Sequence, residues 1–148
     1  MEYLDGPHGA TETINWMAVE KGVHTLPDGR IIEADTTLAD NTNSSVTLAG
    51  NFATTPVVLT SVMSENDTTT VDSDPLNITA SGFTVRLQEE EAEDGNHANE
   101  TVGWIAIQPG GDTIWGTAAA FDSLDENSDT LRLGATFINS IVLAETQP

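Results

Sequence analysis

Residues 83–88, Phe-Thr-Val-Arg-Leu-Gln, alternate strictly between apolar and polar. A period of two is that of a half-buried β-strand. Residues 56–63, Pro-Val-Val-Leu-Thr-Ser-Val-Met, form a run of strand length rich in β-branched side chains. Residues 14–19 and 102–107 also predict strands, each with one tryptophan. Turn chemistry separates the runs: Asp5-Gly6-Pro7, Pro27-Asp28-Gly29, Ser81-Gly82, Asp94-Gly95-Asn96 and Gly110-Gly111-Asp112. No stretch carries a convincing amphipathic-helix pattern. The expectation is an all-β fold, an antiparallel β-sandwich.

The pattern repeats. Glu12-Thr-Ile-Asn-Trp16-Met17-Ala-Val19 recurs as Glu100-Thr-Val-Gly-Trp104-Ile105-Ala-Ile107, an offset of 88 residues from Trp16 to Trp104. Leu48-Ala-Gly-Asn-Phe52 followed by Val58-Leu59 resembles Leu133-Gly-Ala-Thr-Phe137 followed by Val142-Leu143, an offset of 85 from Phe52 to Phe137. Two blocks in one order with nearly one period indicate tandem modules of about 85–88 residues. The expected organisation is an end of one unit plus linker (1–45), a complete unit (46–110), and a linker plus the start of the next (111–148). The terminal pieces could also close on each other, making one compact domain.

The tryptophan segments are apolar on both alternating sets of positions. A strand of that kind needs both faces covered, whereas a two-layer sandwich covers one. The second face is therefore expected to meet a copy of the chain or a neighbouring module, with Trp16, Met17, Trp104, Ile105 and Ile107 at that contact. A homo-oligomer or tandem-module contact is the predicted outcome.

Composition narrows the function. The chain has 148 residues, 24 Asp+Glu against 4 Lys+Arg, a formal net charge of −20, and no cysteine. Such a surface excludes nucleic acid as a partner and disfavours anionic membranes. Without cysteine there is no disulfide, thiolate zinc site or cysteine nucleophile. No apolar run is long enough to span a membrane, and no membrane insertion is expected. Self-repulsion must be screened by salt or relieved by bound cations such as calcium. The expected location is extracellular or at a cell surface, in a saline environment, or inside a salt-accumulating cell.

The succession Val46-Thr-Leu, Phe52, Pro56-Val57-Val58-Leu59, Ser61, then Ser81-Gly82-Phe83-Thr84-Val85, then Val102-Gly-Trp104-Ile105-Ala-Ile107 resembles an H-type lectin domain over residues 46–110. That resemblance implies an antiparallel sandwich, often trimeric, binding sugars at subunit edges. The matched residues are mostly core positions. Between the Gly-Phe strand and the Trp strand this chain has Glu89-Glu-Glu-Ala-Glu-Asp94-Gly-Asn-His97, not an aromatic and amide-rich sugar platform. No sugar-contacting residue carries over.

Several residues remain as candidates for chemistry. Asp125-x-Asn127-x-Asp129, with Asp122 nearby, alternates oxygen ligands as a calcium loop does, but Thr130 and Thr136 stand where an EF-hand requires Gly and Glu. Asp72 and Asp74, with Asp67, form a second cation candidate in a Thr-rich segment. Trp115 could stack on a sugar face. His97, three residues before Glu100, is a further sugar-contact candidate, or else fixes a loop by hydrogen bonding, the more ordinary role. His8 precedes Glu12 in a similar way. Asn43, Asn66, Asn77 and Asn99 fit the N-x-[ST] glycosylation pattern. No nucleophile-elbow, metalloprotease, P-loop or dinucleotide motif is present, so no catalysis is expected. The leading expectation is a non-catalytic, extracellular carbohydrate-binding or adhesion module, with glycan or copies of itself as partner. A structural tandem unit of an adhesin, filament or surface layer is the alternative.

Overall fold

The computed structural model describes residues 16–89, 96–112 and 116–120. Among these there is no helix, and nine strands pair antiparallel throughout. β1 (Gly22–Thr25), β2 (Ile31–Ala39), β7 (Glu100–Ile107) and β4 (Val57–Val62) form one sheet in the order β1-β2-β7-β4. β3 (Ser44–Thr47), β6 (Gly82–Glu89) and β5 (Val71–Thr79) form a second, in the order β3-β6-β5. β8 (Gly110–Asp112) and β9 (Gly116–Ala118) make a small ribbon. The fold is the all-β antiparallel sandwich that the alternation predicts.

The core lies between the two larger sheets. β7 buries every second residue, Glu100, Val102, Trp104 and Ala106. Val58 and Ala39 stand in line with them across the register. From the opposite sheet come Phe83, Val85 and Leu87 of β6 and Val46 of β3, with Leu48 and Phe52 from the loop after β3. Phe83 and Trp104 meet edge to face, centroids 5.6 Å apart and planes at 82°. Each such side chain contributes about 1.5–3 kcal/mol on burial, so the alternation in β6 and β7 fixes which face of each sheet turns inward.

The turns follow their glycines. Gly29 takes a φ of 87° in the β1–β2 hairpin, where its N–H donates to Leu26 O at 2.8 Å. The β5–β6 hairpin turns at Ala80–Ser81, one residue before Gly82. Gly110-Gly111-Asp112, predicted as a turn, is instead strand β8. Both glycines have positive φ, β8 pairs with β9, and Arg30 donates to Gly110 O and Gly116 O.

One further expectation is corrected. Residues 16–20, the described part of the first tryptophan segment, form no strand. Trp16 is 75% exposed, against 5% for its counterpart Trp104. Trp104 is enclosed because β7 is central, hydrogen-bonded to β2 on one side and β4 on the other, with Phe83 over its ring. No described strand flanks Trp16, and local pattern alone does not supply burial. Asp72 and Asp74 lie within edge strand β5, the first arm of the β5–β6 hairpin. Pro75 is tolerated beside them because an edge strand needs no donor on its outer side.

Candidate functional site

The inner face of the β1-β2-β7-β4 sheet ends in a carboxylate at each end of β7's register. Ala106 stands opposite Glu33, and Glu100 opposite Ala39. Both glutamates are buried. A buried carboxylate must be hydrogen-bonded, and each holds a loop of backbone. Glu33 accepts the N–H of Ala49 at 2.9 Å and of Gly50 at 2.8 Å. Gly50 must be glycine there: a Cβ would run into Phe52, Ile31 and the Glu33 carboxylate.

Glu100 organises the larger site. Its Oε2 accepts the Ser64 hydroxyl at 2.5 Å, and its Oε1 accepts the N–H groups of Asn66 at 2.6 Å and Asp67 at 3.1 Å. The Ser64 Oγ in turn accepts the Thr101 N–H at 2.7 Å. The Asn66 amide donates to Asn99 O at 2.8 Å. The loop after β4 is thereby tied to the entry of β7. The Ser64 hydroxyl, more than any other group, holds the Glu100 carboxyl below its usual range. Burial opposes this, and the Asn66 and Asp67 N–H groups reinforce it.

His97 completes the cluster. Its ring is buried, with Nδ1 3.3 Å from Glu89 Oε1 and Nε2 3.3 Å from Glu100 Oε1. Carboxylates accept and do not donate, so both contacts are hydrogen bonds only when each ring nitrogen carries a proton. The arrangement bridges the end of β6 to the start of β7. Asp67 lies at the mouth, its carboxyl lowered first by the Thr68 N–H and then by that of Ala98. Together Ser64, Glu65, Asp67, Thr68 and His97 border an open depression of about 270 Å³. Val62 and Val71 share its lining, and the His97 ring there is 1% exposed, with its two nitrogens against Glu89 and Glu100.

A second clamp fastens the ribbon. Arg30 is buried; its Nε donates to Asp28 Oδ2 at 2.7 Å, and its two terminal nitrogens donate to Gly110 O and Gly116 O, each at 2.8 Å. A side chain at Gly111 would strike this guanidinium and the Gly116 carbonyl. Burial alone would raise the Asp28 carboxyl, but the Arg30 N–H groups and charge prevail and lower it.

Of the sequence-predicted residues, His97 faces inward in the loop-fixing arrangement and is not presented at the surface. Asp72 is exposed and accepts the Ser73 N–H, while Asp74 sits 3.5 Å from the Arg86 guanidinium. Among the described residues no group of three or more His, Asp or Glu is placed to hold a metal ion. Trp104 belongs to the core, Ile105 and Ile107 lie half-buried on the opposite face of β7, and Met17 is 40% exposed. Asn43, Asn66, Asn77 and Asn99 are all exposed. Trp115, Asp122, Asp125, Asn127 and Asp129 lie outside the described residues. Glu33 and Arg30 carry no mark in the sequence, and Glu100 enters there only as the residue three after His97. The signal for Glu100 was present: it shares its alternating set with Val102, Trp104 and Ala106, where a solvated glutamate would be out of place.

No family model matches the chain. It is 28% identical over 148 residues to halomucin of Haloquadratum walsbyi (strain DSM 16790 / HBSQ001), an alignment covering 95% of this chain. The chain spans 2% of that protein's length. Among the described residues no helix is long and apolar enough to cross a membrane.

Proposed function

We propose that the chain is a non-catalytic module of a secreted or cell-surface protein that works in brine, and that its task is attachment to glycan. The observation that carries this reading is how its charge is distributed. The buried carboxylates, Glu33 and Glu100, are taken up in holding loops. Most of the remaining acidic surface needs salt to be tolerated. Similarity to halomucin of a halophile accords with a surface setting. The sugar part rests on the H-type-lectin resemblance of residues 46–110 in sequence. The depression beside Asp67 and Thr68 offers hydroxyl and carboxylate partners to a sugar.

The test is a glycan array probed in molar salt, with calcium and with chelator. Calcium is included on the strength of the Asp125-x-Asn127-x-Asp129 spacing. Retention of at least one glycan class, weakened by Asp67→Ala, is the expected result. Silence in both arms removes the lectin reading and leaves the structural one, a tandem unit of an adhesin, filament or surface layer.

A further inference from the structure

Four Asn-x-Ser/Thr sequences fall in the described residues: Asn43-Ser44-Ser45, Asn66-Asp67-Thr68, Asn77-Ile78-Thr79 and Asn99-Glu100-Thr101. N-glycosylation uses the asparagine amide together with the hydroxyl two residues on, and its product is bulky and hydrated. Both groups must be within reach, and the sugar must find room in solvent. The four sequences differ on that requirement.

Three of them have parts already committed. The Asn66 amide donates to Asn99 O at 2.8 Å, and the N–H groups of Asn66 and Asp67 are held by buried Glu100. The Asn77 amide donates to Thr84 Oγ1 at 3.2 Å, and the Thr79 hydroxyl donates to Gly82 O at 2.9 Å. In Asn99-Glu100-Thr101 the middle residue is buried. Thr101 there belongs to central strand β7, its N–H on Ser64 Oγ and its carbonyl on the Met63 N–H.

Asn43-Ser44-Ser45 is free of such ties. Asn43 and Ser45 are both exposed, and neither side chain is hydrogen-bonded to a described residue. Asn43 ends the connection between β2 of one sheet and β3 of the other, and the two serines open edge strand β3. The corner before them is anchored. The Asp40 carboxylate accepts the Thr42 N–H at 2.7 Å and the Thr42 hydroxyl at 2.6 Å, and the Asp40 carbonyl accepts the Leu87 N–H at 2.7 Å.

We propose that Asn43 is an N-glycosylation site. The step is a group transfer from an oligosaccharide carried on a lipid phosphate. Asn43 Nδ2 bonds to the anomeric carbon of the sugar. The bond from that carbon to the phosphate oxygen breaks, the phosphate leaves with the electron pair, and the amide nitrogen gives up one proton. A hydrated glycan at the head of β3 also shields that sheet edge from pairing with another chain. The inference rests on the secreted or surface placement proposed above and not on glycan binding.

Glycopeptide mass spectrometry of the whole chain purified from its native cells tests this. Cleavage after Glu33 and Glu65 releases residues 34–65, which hold Asn43 and none of the other three acceptors. That peptide is expected to carry a mass increment of sugar residues. The increment should be lost in Asn43→Gln and in Ser45→Ala, and kept in Ser45→Thr, all at exposed positions. Residues 34–65 found at their unmodified mass overturn the inference. Sugar that persists in Asn43→Gln is bound to a hydroxyl and overturns it too. Whether an unmodified chain is then recovered from the medium and envelope or from the cell interior tells whether the surface placement fails with it.

Discussion

Trp16 and Trp104 stand in nearly the same sequence, Glu-Thr-x-x-Trp followed by apolar residues, yet meet opposite surroundings. Trp104 is 5% exposed in the middle strand of a four-stranded sheet, and Trp16 is 75% exposed in a segment without regular structure. The difference shows what a strand pattern does and does not encode. Alternation decides which side chains share a face. Burial comes from the neighbours, here β2, β4 and Phe83. A repeated segment is thus a repeated capacity, which among the described residues is realised at β7, between β2 and β4.

The largest expected effect separates the two tryptophans directly. Trp104→Ala removes a core ring and its edge-to-face partner contact, and should cost about 3–5 kcal/mol in chemical denaturation. Trp16→Ala should stay within about 0.5 kcal/mol, as exposed substitutions do. Equal losses at both positions would break the comparison.

A smaller effect should come from the clamp on the ribbon beyond β7. Arg30→Ala leaves the Gly110 and Gly116 carbonyls without their guanidinium donors, while Asp28 keeps only the backbone N–H of residue 30. A loss of about 1–3 kcal/mol is expected, with faster amide exchange in β8 and β9.

Acid sharpens the account of how β7 is anchored at Glu100, whose counterpart Glu12 lies outside the described residues. The Glu100 carboxyl is lowered in the folded chain, by the Ser64 hydroxyl first and against burial. A group lowered by folding adds stability above its unfolded value and loses it as pH falls through the folded one. Protection of the Asn66 and Asp67 amides should therefore be complete near neutrality and fade below the ordinary carboxylate range. Glu100→Gln should abolish that acid step, because its amide oxygen accepts these N–H groups alike at every pH. The lowered Asp35 and Asp40 act in the same direction, Asp35 through Lys21 and Asp40 through Thr42. Both are surface groups, so molar salt should shrink the Lys21–Asp35 contribution most.

Legibility in the sequence followed apolar and β-branched runs of strand length. β6 could be placed by strict alternation, β4 by its β-branched run, and β7 by a short run that is apolar on both faces. β5 escaped because Asp72, Asp74, Pro75 and Asn77 look like loop, while Ser73 and Pro75 are what it buries. β2 hides a buried Glu33 inside Ile-Ile-Glu-Ala, where the acid's partners are the Ala49 and Gly50 N–H groups sixteen and seventeen residues away. Such long-range satisfaction leaves no local mark. Two histidines before Glu-Thr-x-x-Trp suggested loop fixing, and His97 does bridge Glu89 and Glu100, but nothing nearby in the sequence points to Ser64 or Asn66.

Tryptophan fluorescence gives the most direct test. Two variants, each keeping one of Trp16 and Trp104 and replacing the other two tryptophans with Phe, can be compared under acrylamide in molar salt. Trp104 should emit to the blue and resist quenching, while Trp16 should emit near the wavelength of free indole in water and quench readily. Two tryptophans equally shielded would contradict the account, for the paired segments would then share one environment.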